Sequence, residues 1–414
     1  MRTWHLFRIP PRLRKRDVSD TAEPGVEETG GLTPREALPL LTEYLTEEEY
    51  AKADQWASSD DTNLAAVMRR AENGEAVTIA VIGGSITEGT ISSGTKDSEV
   101  GFKKSYADIF KDWWETRFPN ADITFVNAGI GGTDSYLGVH RLKSQVMEHD
   151  PDLVLVEFSV NDSDTVSFKK SYENIVRNIL ISDRPRAVML LFMGQTNGSN
   201  AQGQHVMVGF NYSLPMVSYA SAISVMMDSG HFTAEELSGD EVHPSALGHA
   251  VTGEILYRYL NDVYANMYDF GEAVALSRDT PALTSDTYRD ADLLTGEAAN
   301  VTDTGTFTWS DIDYHFTGGW KNESGEGGIT FEVNFRNLGI LYQKTTDGKS
   351  GKFDVLIDGE TVRTIDADFT GGWGNAITGT EVYTSDEAAM HTVVIRKSED
   401  SGGEQFKLIG LMTS

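Results

Sequence analysis

A serine hydroxyl is a weak nucleophile until a base takes its proton, and that base is most often a histidine held in its working tautomer by a carboxylate. The chain carries these residue types in two short blocks. Gly83-Gly84-Ser85-Ile86-Thr87 follows an apolar run from Val77 to Ile82, and Asp240-Glu241-Val242-His243-Pro244 lies far downstream. The close spacing of Asp240 and His243 supplies the carboxylate locally, and Pro244 ends the loop and can open a helix. Ser85 is therefore the candidate nucleophile, His243 its base and Asp240 the partner of that base. Because Thr87 stands where a second glycine would be needed, the first block is not the G-x-S-x-G elbow of the α/β-hydrolases.

Acyl transfer also needs donors aimed at the oxyanion that develops on the attacked carbonyl. Asn127-Ala128-Gly129-Ile130-Gly131-Gly132-Thr133 follows the run Ile123 to Val126, and Val160-Asn161-Asp162 follows Leu153 to Phe158. Gly132 and Asn161, joined by the Ser85 amide, are the candidate oxyanion hole. Taken singly, each block also reads as plain structure: glycines that only turn the chain, an asparagine that only caps it, and a histidine in a solvated loop. Asp150, Asp162 and Asp164 are alternative carboxylates, but none precedes a histidine at useful spacing, so they read as solvated loop residues.

The order Ser, Gly, Asn, then Asp-x-x-His resembles the SGNH (GDSL-like) hydrolases, over roughly Val77 to Leu260. The resemblance implies a flavodoxin-like three-layer α/β/α domain with a parallel sheet, in which Ser85, Gly132, Asn161, Asp240 and His243 take the family's catalytic positions. Two departures stand out: the first block has Gly-Gly-Ser-Ile in place of Gly-Asp-Ser-Leu, and Ser159 replaces a common glycine. Neither removes a catalytic atom. The first block, Val154 to Asn161 and Tyr212 to Tyr219 look similar to bacterial carbohydrate acetylesterases, which pair the hydrolase domain with a β-sandwich.

Around these blocks, the short runs Val77 to Ile82, Ile123 to Val126, Leu153 to Phe158 and Ala187 to Met193 are rich in Val, Ile and Leu, as strands buried on both faces must be. Helical periodicity fills Lys103 to Phe118, Leu137 to His149, Tyr172 to Ile181 and about Ser245 to Tyr264, with a weaker strand at Pro215 to Tyr219. Alternating β and α elements predict a parallel sheet with helices on both faces.

Past about residue 275, Gly, Thr, Asp and aromatics rise, and alternating runs appear at Ile329 to Phe335, Phe353 to Ile357 and His391 to Ile395. They predict an antiparallel β-sandwich, jelly-roll-like, over 276–414. Asp358-Gly359 is a two-residue hairpin signal. Trp309, Trp320 and Trp373, with Tyr314 and Tyr342 nearby, are candidate platforms for sugar rings, although for any one of them filling the sandwich core is the commoner role. The hydrolase domain is expected over 35–275, with a helical preface at 35–70 and a flexible lead at 1–34.

The composition sets outer bounds. The 414 residues exceed the roughly 100–200 expected of one domain, and 39% hydrophobic with 23% charged residues is ordinary for a globular chain. A net charge of -29 argues against nucleic acid and against an anionic membrane as partners. Without cysteine, thiolate catalysis and disulfides are excluded. No metal and no cofactor is expected, since His243 and His249 lack a third ligand. Met1 to Arg16 contains no apolar run of about 7–15 residues such as a signal peptide needs, which predicts a cytoplasmic protein, the alternative being secretion by a route not visible in the sequence.

The polar, glycine-rich stretch Gly194 to Gln204 beside the predicted site favours a small acyl group on a polar alcohol. The expected activity is removal of acetyl groups from mannan- or xylan-type oligosaccharides. A lysophospholipase or thioesterase of the same family is the alternative, and a catalytically weak sugar-binding protein is a third.

Overall fold

The computed structural model describes residues 43–56 and 59–414; the expected lead at 1–34 lies outside them. Five parallel strands, β1 (Val77–Gly83), β2 (Ile123–Gly129), β3 (Leu153–Glu157), β4 (Ala187–Phe192) and β5 (Met216–Ser218), form a sheet in the order β2-β1-β3-β4-β5. This is the doubly wound, flavodoxin-like order, and its topological switch point lies between β1 and β3, where such sheets bind ligands beyond their carboxyl ends.

The alternation of side chains along each strand explains the two helical layers. Val77, Ile79, Val81, Leu153, Leu155, Met189 and Leu191 face a core built with the helices Thr62–Glu72, Tyr106–Arg117, Tyr219–Ser229 and Ala246–Ala265. Ala80, Ile82, Val154, Val156, Val188, Leu190 and Phe192 face the other way, onto the helices Ser135–Gln145 and Val166–Leu180. Both faces are covered, hence the nearly continuous apolar runs. The helical preface expected at 35–70 holds, where described, two helices, Glu47–Ala53 and Thr62–Glu72.

The last helix of this layer ends at Ala265, and the first strand of a second sheet begins at Asp292. Nine antiparallel strands make that sheet, with the long strands Gly328–Lys344 and Ala376–Lys397 at its centre. Register shifts at Phe335/Asn337 and Leu338/Gly339 interrupt their pairing. Bulges of this kind bend a strand, and the sheet curls as a sandwich does around Phe331, Phe353, Val393 and Phe406. The Asp358-Gly359 hairpin forms as expected: both residues have positive φ, 52° and 90°, and Ile357 pairs with Glu360.

The second sheet shares a core with the first layer. Leu341, Ile377, Ile409 and Met412 join the cluster that holds Tyr136, Leu137 and Val139 of the helix Ser135–Gln145. The Lys143–Asp292 ion pair and a bond from Gln145 Nε2 to the His315 carbonyl (3.1 Å) fasten the same helix at its far end.

Candidate active site

Ser85 is the first residue of a one-turn helix, Ser85–Glu88, directly beyond β1, with Gly84 as its N-cap and Gly89 in the left-handed region closing it. The chain turns from β1 into this helix within one residue, and the turn needs no left-handed angle: Gly84 sits at φ -89°. The preceding glycines serve close approach. A Cβ on Gly84 would lie 2.1 Å from the Asn161 side-chain oxygen, and one on Gly83 2.1 Å from Thr87 Oγ1. The Asn161 amide is thus packed against the residue before Ser85.

Ser85 Oγ lies 2.8 Å from His243 Nε2, and His243 Nδ1 lies 2.8 Å from Asp240 Oδ2. With Nδ1–H donated to the carboxylate, Nε2 is left to accept the serine proton. The loop that carries this pair is built to hold still. Asp240 Oδ1 accepts the backbone N–H groups of Val242 (3.0 Å) and His243 (2.7 Å), while the His243 carbonyl accepts the hydroxyls of Ser92 (2.6 Å) and Ser238 (2.8 Å). Ser238 and Pro244 close the loop as an isolated antiparallel bridge. Glu241, at the turn between them, is held at φ 68°, a conformation that costs an ordinary residue about 1–2 kcal/mol. Burial pushes the Asp240 carboxyl up, but the hydrogen bonds from His243 and Val242 outweigh it, so it sits below its ordinary value. The His243 side chain is 24% exposed and that of Asp240 49%, so the relay opens to solvent.

Gly132 and Asn161 follow β2 and β3, on either side of β1. Gly132 needs glycine for its positive φ of 69°, and a Cβ on its neighbour Gly131 would lie 3.8 Å from Ser85 Cβ. The buried guanidinium of Arg141 donates to the carbonyls of Gly83 (2.9 Å) and Ala128 (2.5 Å), at the carboxyl ends of β1 and β2. Burial pulls Arg141 down to about 9, against the opposing charges of Asp134 and Glu88. Burial likewise raises Glu157, at the end of β3, to about 7.

The second sheet reaches this site. The Trp373 ring is 69% exposed, yet its edge lies about where a Gly132 Cβ would go, 2.9 Å away. Tyr314 donates its hydroxyl to Glu88, in the helix that Ser85 opens, and His315 Nε2 lies 3.2 Å from the same carboxylate. The Glu88 bond lifts the Tyr314 phenol to about 12. Of the other two tryptophans, Trp309 is 50% exposed and lines a separate pocket of about 470 Å³ with Glu297 and Asn300. Trp320 borders the same pocket but, at 4% exposure, packs edge-on between Trp309 and Phe331 and takes the core-filling reading rather than that of an open platform.

Other expectations fare differently. Asp164 and Asp150 are exposed, but Asp162 is buried and paired with His205, not solvated. His249 is buried in its helix, with Tyr106 N–H donating to Nδ1 (3.0 Å) and Nε2 facing the Thr90 carbonyl (3.1 Å). Among the described residues no cluster of three His, Asp or Glu side chains could hold a metal ion, and no helix is long and apolar enough to cross a membrane.

Residues 81–251 match the GDSL-like lipase/acylhydrolase family. A two-domain esterase (CEX) active on acetylated mannans, solved with mannopentaose, is 31% identical over 86% of this chain and 95% of its own, with a TM-score of 0.75. This chain belongs to the GDSL-like lipase/acylhydrolase family. A second structure of the esterase active on acetylated mannans is 30% identical, covering 86% of this chain and 96% of its own, again at a TM-score of 0.75. A search of curated proteins gives no match. As a GDSL-like hydrolase of this two-domain kind, the protein is a carboxylic ester hydrolase.

Proposed function

We propose that the protein is a serine esterase that removes O-acetyl groups from oligosaccharides of the mannan class, with Ser85, His243 and Asp240 as its catalytic triad. The observation that carries this is the unbroken relay of two 2.8 Å contacts, from Ser85 Oγ through His243 to Asp240, at the switch point of the sheet. Ser85 Oγ attacks the acetyl carbonyl as His243 Nε2 takes its proton. The oxyanion then meets the amides of Ser85 and Gly132 and the Asn161 side chain. His243 returns the proton to the departing sugar oxygen, and water, activated by the same histidine, releases acetate from the acyl-enzyme.

Two features support a sugar as the alcohol. The mannan-active relatives share both halves of the chain. Trp373 presents an exposed indole beside Gly132, a flat face on which a sugar ring can stack. The polar neighbourhood of the relay supports a short acyl group: Thr196 N–H donates to the Glu241 carbonyl (3.0 Å), and Asn197 reaches the Glu241 carboxylate (3.4 Å). We place the hydrolase domain at 35–275 and the sandwich, which completes the sugar side of the site, at 276–414.

The test is acetate release from acetylated manno- and xylo-oligosaccharides beside p-nitrophenyl esters of increasing acyl length, with wild type and Ser85→Ala. Ser85-dependent release from the manno-oligosaccharides is expected. Full activity in Ser85→Ala refutes the triad, and activity that rises with acyl length and is absent on sugars moves the assignment to a lipid or thioester substrate.

A further inference from the structure

The family's chemistry leaves one buried pair beside the site unused. Asp162 directly follows Asn161, and both it and His205 have fully buried side chains. Asp162 Oδ1 accepts the backbone N–H of Ser135 (2.8 Å), and Oδ2 lies 2.9 Å from His205 Nε2. Ser135 opens the helix that follows the Gly132 loop, and His205 sits on the helix Gln202–Asn211 beyond β4. One carboxylate thus joins the three loops that leave β2, β3 and β4. The His205 ring stacks flat on Tyr172, with centroids 3.7 Å apart and planes at 5°, and its Nδ1 is buried without a partner.

An ionic or strongly polar pair taken out of water gains little stability over apolar residues of the same volume. Its geometric effect is specific. Fixing Asp162 fixes Asn161 through the chain and the Gly132 loop through Ser135, and these are the two oxyanion donors that come from outside the Ser85 turn. The unpartnered Nδ1 sets the tautomer: Nε2–H is donated to Asp162, because the alternative would bury an unsatisfied N–H. We propose that Asp162 and His205 are positioning residues that hold the Asn161 and Gly132 donors in register with Ser85. This rests on the proposed triad and oxyanion hole. Misplacing a reacting group by about 1 Å costs about 100-fold in rate, so loss of the pair falls on kcat rather than on KM.

The test uses the full chain and p-nitrophenyl acetate, with Ser85→Ala alongside. His205→Phe keeps the flat ring on Tyr172 and removes the N–H; its kcat is expected to fall about 10- to 100-fold with KM within about twofold. His205→Gln, whose amide N–H can reach Asp162, is expected to recover most of that loss. Should His205→Phe not fold, Asp162→Asn serves in its place. Its NH2 replaces one of the two oxygens that accept from Ser135 and His205 and cannot accept there, and a drop in kcat of about tenfold or more at unchanged KM is expected. A folded His205→Phe or Asp162→Asn with wild-type kcat overturns the proposal. So does a His205→Gln as impaired as His205→Phe, which would place the effect in ring packing. An inactive Ser85→Ala in those cases confines the failure to the pair, whereas an active Ser85→Ala overturns the triad itself.

Discussion

Replacing Trp373 with alanine separates recognition of the alcohol from ester chemistry. The side chain is 69% exposed, which for an indole of about 250 Å² leaves about 170 Å² in solvent. A sugar ring lying on one face covers about half of that, and about 85 Å² at about 25 cal/mol per Å² is about 2 kcal/mol, or about 30-fold in kcat/KM. Trp373→Ala is therefore expected to lose about 30-fold in kcat/KM on acetylated manno-oligosaccharides. On ethyl acetate, whose two-carbon alcohol has no ring to lay on the indole, the loss should stay within about twofold. Stability should shift little, about 0.5 kcal/mol or less, because an exposed side chain is removed. Acetate release from the two substrates, measured on one preparation, gives both numbers. Equal losses on the two substrates would refute the platform and make the contact with Gly132 a prop for the oxyanion loop; no loss on either would remove Trp373 from the site.

Asp240→Asn should lower kcat by about 10³- to 10⁴-fold on every ester, because the amide favours the wrong His243 tautomer; a loss below tenfold would show that another group orients the ring. Glu157 provides a pH signature. Burial raises its folded-state pKa from 4.5 to about 7, so its stabilising contribution is complete below about 4.5 and is lost as pH rises through about 7, and Glu157→Gln, which cannot ionise, should gain about 2 kcal/mol on wild type between pH 5 and 8 in urea midpoints. An unchanged difference between the two proteins across that range would mean that Glu157 is not desolvated. Truncation after residue 275 should yield an aggregating protein, since it strips Leu341, Ile377, Ile409 and Met412 from the helix Ser135–Gln145; a monodisperse 1–275 fragment with full p-nitrophenyl acetate activity would refute that dependence.

Legibility in the sequence tracks the range of each interaction. β1, β3 and β4 are readable because strands buried on both faces become unbroken Val, Ile and Leu runs, whereas β2, at the sheet edge, is only partly buried and carries an exposed Thr124 within its run. Asp240 and His243 are readable because the carboxylate and the ring it orients are three residues apart. Asp162 was not: its histidine lies 43 residues away on the helix Gln202–Asn211, so nothing local separates it from a solvated loop residue such as Asp164. The same holds for Glu88 and Tyr314, 226 residues apart. The glycines before Ser85 were assigned to a turn from type alone, whereas their cause, the Asn161 side chain pressed against Gly84, exists only once β1 and β3 are paired. Aromatic type could not sort Trp320 from Trp373 either, because both stand in Gly-Gly-Trp steps and only the packing buries one of them.

The helix Ser135–Gln145 explains how a two-sheet chain makes one site. Its N-terminus is bound by Asp162 and follows the Gly132 loop, its flank carries Arg141 under the strand ends, and its outer face packs on the second sheet through Tyr136 and Leu137. A Cβ on Gly339 of that sheet would lie 2.4 Å from the Tyr136 hydroxyl, so the two surfaces interlock with no room for a water layer. A close-packed contact of this kind behaves as one solid body. Trp373, against Gly132, and Tyr314, on Glu88, are therefore held at the Ser85 end of the sheet by the same helix that follows the Gly132 loop, rather than by a linker. Sugar recognition and oxyanion geometry are thereby mechanically coupled: a substitution that loosens the Tyr136–Gly339 contact acts on kcat for small esters as well as on KM for oligosaccharides, whereas removal of the indole alone acts on the second.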